Sequence, residues 1–167
     1  MAAEAHSDAV HVINNLKEFN ELAAAHKYLI LDFTAVWCPP CKIIKPIFER
    51  LAREHTPPGG KGPLAFATVD VDEATDVARK FEVSAMPTFI FAVNGEATGV
   101  DVLTQAPPLD APSVLKVDDG SGRLKAIQGA NPPALYEAVK QVAKLAKAEG
   151  GAGAAEDAGS VEVTAEA

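Results

Sequence analysis

The chain is poor in several residue types, and each shortage narrows the range of proteins that it can be. Two cysteines among 167 residues are too few for a disulfide scaffold, and a chain of this length does not need one. Basic residues are outnumbered 15 to 23 by acidic ones, and the formal net charge of −8 argues against nucleic acid or an anionic membrane as the main partner. No apolar run approaches the roughly 20 residues that a membrane-spanning helix needs.

The N-terminal residues also lack the features of a targeting signal. Residues 1–8 are small and acidic, without the basic and apolar segments of a secretory signal or the arginines of a mitochondrial transit peptide. A cysteine pair in an otherwise cysteine-free chain indicates redox chemistry in a reducing compartment. We therefore expect a cytoplasmic protein, with the nucleus as a second location.

Composition divides the chain into three parts. Apolar residues make up 48% of the sequence, which is enough for one domain with a hydrophobic core, and we place this domain at residues 10–147. Residues 1–9 are expected to be a flexible N-terminus. Residues 148–167 are acidic, rich in glycine and alanine and without aromatic side chains, so we expect a disordered tail.

Hydrophobic periodicity predicts strands that alternate with helices. The predicted strands are residues 10–13, 28–33, 64–71, 88–93 and 123–128, with residues 114–117 as a further small candidate. The predicted helices are residues 15–26, 41–55, 73–81 and 132–147. This order predicts an α/β fold with a central mixed five-stranded sheet, parallel in its early strands and antiparallel in its late hairpin, with helices on both faces.

The segment Trp37-Cys38-Pro39-Pro40-Cys41 is the most informative part of the chain. It follows the apolar run at residues 28–33 and opens the next predicted helix, a placement typical of a reactive dithiol. Free N–H groups and the helix dipole at a helix N-terminus favour a thiolate on Cys38. Half of a zinc site is the alternative, but zinc needs two further ligands and the four histidines show no paired spacing.

Asp32 is unusual because it lies within the buried apolar run at residues 28–33. A carboxylate in that position must lose its hydration, so its pKa should rise. The alternative is a structural aspartate whose carboxylate is satisfied by hydrogen bonds near the end of the strand.

Four separated motifs, in order along the predicted elements, resemble the thioredoxin family. They are Asp32-Phe33, Trp37-Cys38-Pro39-Pro40-Cys41-Lys42, Met86-Pro87-Thr88-Phe89 and Gly129-Ala130-Asn131-Pro132. The resemblance covers roughly residues 10–147 and implies a thioredoxin fold, a long insertion at about residues 96–122 between its last two strands, and protein-disulfide reductase activity. The Pro-Pro spacer departs from the commoner Gly-Pro pair and resembles the spacer of some eukaryotic cytosolic thioredoxins.

The resemblance implies a role for each site residue. Cys38 would attack the substrate disulfide, Cys41 would resolve the mixed disulfide and form the redox disulfide with Cys38, and Asp32 would assist proton transfer. The peptide bond before Pro87 would be cis, and the backbone of the preceding residue would pair with an extended substrate. The implied substrate-binding rim consists of Trp37, Pro39, Pro40, Met86, Pro87, Gly129 and Ala130.

The resemblance also implies the partners of the protein. Disulfide-containing proteins would be the substrates, and thioredoxin reductase would supply electrons from NADPH, with no bound cofactor and no metal. We expect a monomer. Two alternatives remain open: a disulfide oxidase or isomerase of the same fold, which differs in redox poise, and a non-enzymatic thioredoxin-like binding module.

Two departures from the family pattern are visible in the sequence. Thr68 stands where the family often has a lysine, on the strand next to the buried acid, so the lysine's contribution to the pKa of Asp32 is in question. The insertion at about residues 96–122 is the second departure. A tolerated surface loop is the ordinary explanation for it, and a partner-specific arm is the alternative.

Overall fold

A computed structural model describes residues 9–57, 60–102 and 107–158, with side chains described outside residues 150–158. Its elements are β1 (Val10–Ile13), α1 (Leu16–Ala25), β2 (Tyr28–Thr34), α2 (Pro39–His55), β3 (Leu64–Asp70), α3 (Thr75–Lys80), β4 (Thr88–Val93), β5 (Val114–Lys116), β6 (Leu124–Gln128) and α4 (Pro132–Ala158). Residues 1–8 of the predicted N-terminal segment and residues 159–167 of the predicted tail lie outside the described residues.

One mixed sheet carries the fold, with the strand order β1-β3-β2-β4-β6-β5. β3 pairs in parallel with β1 and β2, whereas β4, β6 and β5 are antiparallel to their neighbours. The predicted mixed α/β architecture is confirmed, but the predicted number of five strands was wrong. Residues 114–116 form a sixth strand because β6 offers them its outer backbone groups, which β4 leaves unpaired.

The two faces of β2 explain why its sequence is apolar almost throughout. Ile30 lies in a core with Phe48 of α2 and residues of α4, while Leu31 lies in a second core with Phe19 of α1 and Val77 of α3. A strand covered by helices on both sides buries every side chain, so its sequence loses the alternation of polar and apolar residues.

Most of the predicted helix ends lie one or two residues from the observed ones, and the end of α4 differs most. The helix predicted at residues 73–81 is shorter in the structure: α3 begins at Thr75 without a side-chain cap, and the Asp72 carboxylate accepts a hydrogen bond from Trp37. α4 continues to Ala158, so the predicted disordered tail was wrong for residues 148–158. Alanine is the strongest helix former, and Glu149 ties the helix to β2 by accepting hydrogen bonds from Lys27 and Tyr28.

The insertion contributes to the core, which corrects the expectation of a surface loop. Leu109 is fully buried and Val100 is 3% exposed, and both pack in the core beneath α2 and α4. Val100 and Leu124 exchange two backbone hydrogen bonds, of 2.8 and 2.9 Å. The insertion is therefore fixed to the sheet at several points.

Among the residues with described structure, no helix is long and apolar enough to cross a membrane.

Candidate active site

The dithiol lies at the junction between β2 and α2. Cys38 is the N-cap of α2, and its Sγ accepts a hydrogen bond from the backbone N–H of Cys41 at 3.3 Å. Pro39 and Pro40 occupy the first helical positions, where a missing N–H costs no helical hydrogen bond. The Cα atoms of Cys38 and Cys41 are 5.3 Å apart, and the two residues form a disulfide.

The segment before β4 packs against this disulfide. The Met86-Pro87 peptide bond is cis, as the resemblance implied. The carbonyl oxygen of Met86 lies 3.7 Å from Cys38 Sγ. This contact is not a hydrogen bond, because the sulfur is in a disulfide and carries no hydrogen. Gly129 donates its N–H to the carbonyl oxygen of Pro87 at 2.8 Å, and its φ of +96° is one that glycine adopts at little cost.

The predicted rim residues come together around the dithiol. Trp37 is 61% exposed, and its indole is held by a 2.8 Å hydrogen bond from Nε1 to Asp72. Met86 is partly buried against the two cysteines. The residues Pro39, Pro40 and Ala130 are exposed. Cys38 itself is only 3% exposed, so a substrate must make contact with the rim in order to approach the sulfur.

Two large apolar side chains near the dithiol were missed in the sequence. Val36 is 72% exposed and Ile43 is 68% exposed. The buried positions Ile44, Phe48 and Leu51 are spaced three or four apart, and Ile43 falls outside that spacing. This spacing was the signal that could have identified Ile43 as a surface residue.

Asp32 is buried behind the disulfide without a partner for one carboxylate oxygen. The residue is 3% exposed, and its Oδ1 makes no hydrogen bond. Thr68 lies opposite it on β3, but the Thr68 hydroxyl donates to the backbone carbonyl of Asp32, at 3.4 Å. Burial is the main cause that raises the pKa of Asp32 to about 7. The positive charge of Lys45 lowers this pKa by a smaller amount, and the negative charge of Glu49 adds a small further rise.

A cleft of about 550 Å³ connects this carboxyl group with Cys41. Asp32 and Cys41 both line the cleft, together with Lys45 and Glu49 of α2 and Thr68 of β3. A carboxyl group that titrates near neutral pH can accept and return a proton under ordinary conditions. The geometry therefore suits proton transfer between Cys41 and Asp32 through the cleft.

The side chains that the structure describes include no group of three or more histidine, cysteine, aspartate or glutamate residues able to hold a metal.

Comparison with known proteins agrees with this geometry. A family model described as Thioredoxin matches residues 10–108. The chain belongs to the thioredoxin family. It is 40% identical over 107 residues to a thioredoxin of Coprinus comatus, covering 64% of this chain and 95% of that protein. It is 46% identical over 99 residues to thioredoxin H3 of Arabidopsis thaliana, covering 58% and 77%.

Solved thioredoxin structures share the fold. The crystal structure of Malassezia sympodialis thioredoxin aligns with a TM-score of 0.57 and 30% identity, covering 80% of this chain and 90% of that one. Oxidised mitochondrial thioredoxin 3 from Saccharomyces cerevisiae aligns with a TM-score of 0.53 and 32% identity, covering 78% and 93%. This thioredoxin-family chain is a protein-disulfide oxidoreductase whose redox-active pair is Cys38 and Cys41.

Proposed function

We propose that this chain reduces disulfides in other proteins, with Cys38 as nucleophile, Cys41 as resolving cysteine and Asp32 as proton acceptor. The Cys38 thiolate attacks one sulfur of the substrate disulfide, the substrate S–S bond breaks, and the first substrate thiolate takes up a proton. Cys41 then gives its proton to Asp32, and its thiolate attacks Cys38 Sγ. This attack breaks the mixed disulfide and releases the second substrate thiolate, which takes up a proton. Two electrons pass to the substrate, and the Cys38–Cys41 disulfide remains.

The observation that carries this proposal is the position of the disulfide between the start of α2 and the cleft of Asp32. Cys38 faces the rim and Met86, whereas Cys41 lines the cleft with Asp32, which supports different roles for the two sulfurs. The helix N-terminus favours a thiolate on Cys38. Asp32, with a pKa of about 7, is matched to a proton that must leave Cys41 at neutral pH.

The proposal includes the source of electrons and the setting of the reaction. An NADPH-dependent thioredoxin reductase would reduce the Cys38–Cys41 disulfide after each turnover, and no bound cofactor is needed because thiol–disulfide exchange carries both electrons. The chain would act as a monomer in the cytoplasm, with the nucleus as a second location, and contribute to electron transport and cell redox homeostasis. A reducing compartment suits a chain whose only cysteines are its redox pair.

Insulin reduction with the wild type and two cysteine variants tests the assignment. Cys38→Ser should lose activity, whereas Cys41→Ser should accumulate a mixed disulfide with the substrate because the resolving thiol is gone. A wild type that does not reduce insulin but binds its partners would indicate a binding module. A strongly oxidising potential, measured against glutathione, would favour the oxidase or isomerase alternative.

A further inference from the structure

The insertion reaches the end of the sheet where the dithiol lies. β4 starts directly after Pro87, and its first residue, Thr88, pairs with Gln128 at the end of β6. β5 runs antiparallel to β6, so the residue that precedes β5, Ser113, lies beside Gln128 and accepts its backbone N–H at 2.9 Å. Gly129, the next residue, donates to Pro87. The backbone thus continues from Pro87 through Gly129 to Ser113 across three neighbouring chain segments.

A side-chain hydrogen bond joins the insertion to residues 129–131, the rim loop, which carries the rim residues Gly129 and Ala130. The Nδ2 of Asn131 donates to the Ser113 hydroxyl at 2.8 Å, while the Oδ1 of Asn131 accepts the backbone N–H of Ala134 at 3.2 Å. Asn131 therefore connects the start of α4 with the insertion. Because it follows Gly129 and Ala130 directly, its orientation fixes the path of the rim loop.

The same part of the insertion presents an apolar surface next to the rim. Pro112 is exposed and Ala111 is half-buried, and Ala130 of the rim is exposed. The burial of Leu109 and the pairing of β5 hold these residues in place. Two strand spacings separate Pro87 from Ser113, roughly 10 Å, which an extended peptide spans in about three residues.

We infer that Ser113 is a positioning residue for substrate recognition, and that residues 111–113 extend the rim to bind an extended polypeptide on one side of the target disulfide. This inference rests on the proposed reductase function. It identifies the preferred substrates as disulfides within exposed, extended chain segments. A small disulfide is too short to reach Pro112 and gains nothing from this surface.

Single-turnover oxidation of the reduced protein tests the inference, with the fluorescence of Trp37, the only tryptophan, as the signal. The substrates are insulin and the small neutral disulfide bis(2-hydroxyethyl) disulfide. Ser113→Ala should lower the rate constant for insulin about threefold to tenfold, the effect of one neutral hydrogen bond, and leave that for the small disulfide unchanged. Ser113→Thr keeps the hydroxyl and should restore the insulin rate.

Two further variants complete the test. Pro112→Asn changes an exposed side chain, and it should also slow insulin alone. Ser121→Ala, in the turn at the far end of β5 and β6, is the matched control and should have no effect. Equal rates in wild type and variants, or equal losses on both substrates, would overturn the inference. A wild type that reduces neither substrate would overturn the reductase function and this inference with it.

Discussion

Thr68 lies directly opposite Asp32, yet its hydroxyl hydrogen-bonds to the backbone carbonyl of Asp32 and leaves the carboxylate without that partner. The proton affinity of Asp32 is therefore set first by burial. Lys45 of α2 supplies an opposing positive charge, and Glu49, one turn further, supplies a negative one. The charge that tunes this acid comes from the helix that carries the dithiol.

Thr68→Lys should lower the pKa of Asp32, because an ammonium group beside a buried carboxylate favours the ionised form. We expect a fall of about one unit or more from the value of about 7, with an equal shift in the pH dependence of disulfide exchange. A ¹³C NMR titration of the Asp32 carboxyl measures the change. Thr68→Met, of similar length but uncharged, is the control. An unaltered pKa in the lysine variant would contradict the prediction.

Asp32→Asn should make the protein more stable at alkaline pH. The carboxyl pKa is about 7 in the folded state against an ordinary 3.8, so between these values the folded state keeps a proton that the unfolded state loses. The contribution of Asp32 to the free energy of unfolding therefore falls as pH rises from about 4 to about 7, by on the order of 4 kcal/mol, and stays constant above pH 7. The Asp32→Asn variant does not lose this stability.

Urea unfolding of the oxidised wild type and Asp32→Asn at about pH 4 and pH 8 measures the difference. The variant should gain stability over the wild type mainly at the higher pH, and other carboxyl groups cancel because both proteins contain them. A variant that is no more stable than the wild type at pH 8 would rule out a costly buried charge on Asp32. Disulfide exchange by the same variant should be slower near neutral pH, because Cys41 loses its proton acceptor.

Pro40→Ala should raise the reduction potential. Neither proline of the spacer has a backbone N–H. The donor to Cys38 Sγ is therefore the backbone N–H of Cys41, the residue that follows the spacer. Alanine restores an N–H at the second helical position, which a capping atom can accept. A second donor stabilises the thiolate of the reduced form, and we expect a rise of about 10–30 mV.

Equilibration with glutathione measures this potential. Pro39→Ala is the matched control, because an N–H at the first helical position is not one that a capping atom usually accepts. A reduction potential of Pro40→Ala equal to or below that of the wild type would show that the number of N–H donors to Cys38 Sγ does not limit the stability of its thiolate.

Leu109→Ala should destabilise the whole domain, because Leu109 is fully buried although it lies in the insertion. Large-to-small substitutions at such sites cost about 2–5 kcal/mol. Leu115→Ala, at a half-buried position of β5, should cost less. Urea unfolding compares the two. A loss below about 1 kcal/mol at Leu109 would mean that the insertion does not belong to the cooperative core.

The dithiol site could be predicted because its chemistry lies in short contiguous motifs. The cysteine pair and Asp32 each stand out from a few adjacent residues on a recognisable element, whereas the cis bond before Pro87 was expected only from the family resemblance. The placement of Thr68 next to Asp32 was expected from the family pattern, and the observed register of β2 and β3 confirms it.

Other features depend on contacts that the sequence does not display. Whether Lys45 and Glu49 face Asp32 is decided by the rotation of α2 on the sheet. The burial of Leu109 depends on tertiary packing of a segment without clear periodicity. The continuation of α4 past residue 147 reflects the favourable alanines and the anchor at Glu149, which outweigh the flexibility that glycine suggests.

The sixth strand also determines how this protein meets its own copies. A sheet whose outermost strand is long and flat offers unpaired backbone groups to other molecules and invites aggregation. Here the outermost strands are four-residue β1 and three-residue β5, and β5 combines its short length with a register irregularity and the charged Lys116. Each of these features discourages intermolecular strand pairing. The insertion thus places β5, a poor template for strand pairing, at the edge of the sheet beside β6. This arrangement favours a protein that remains dispersed at high concentration.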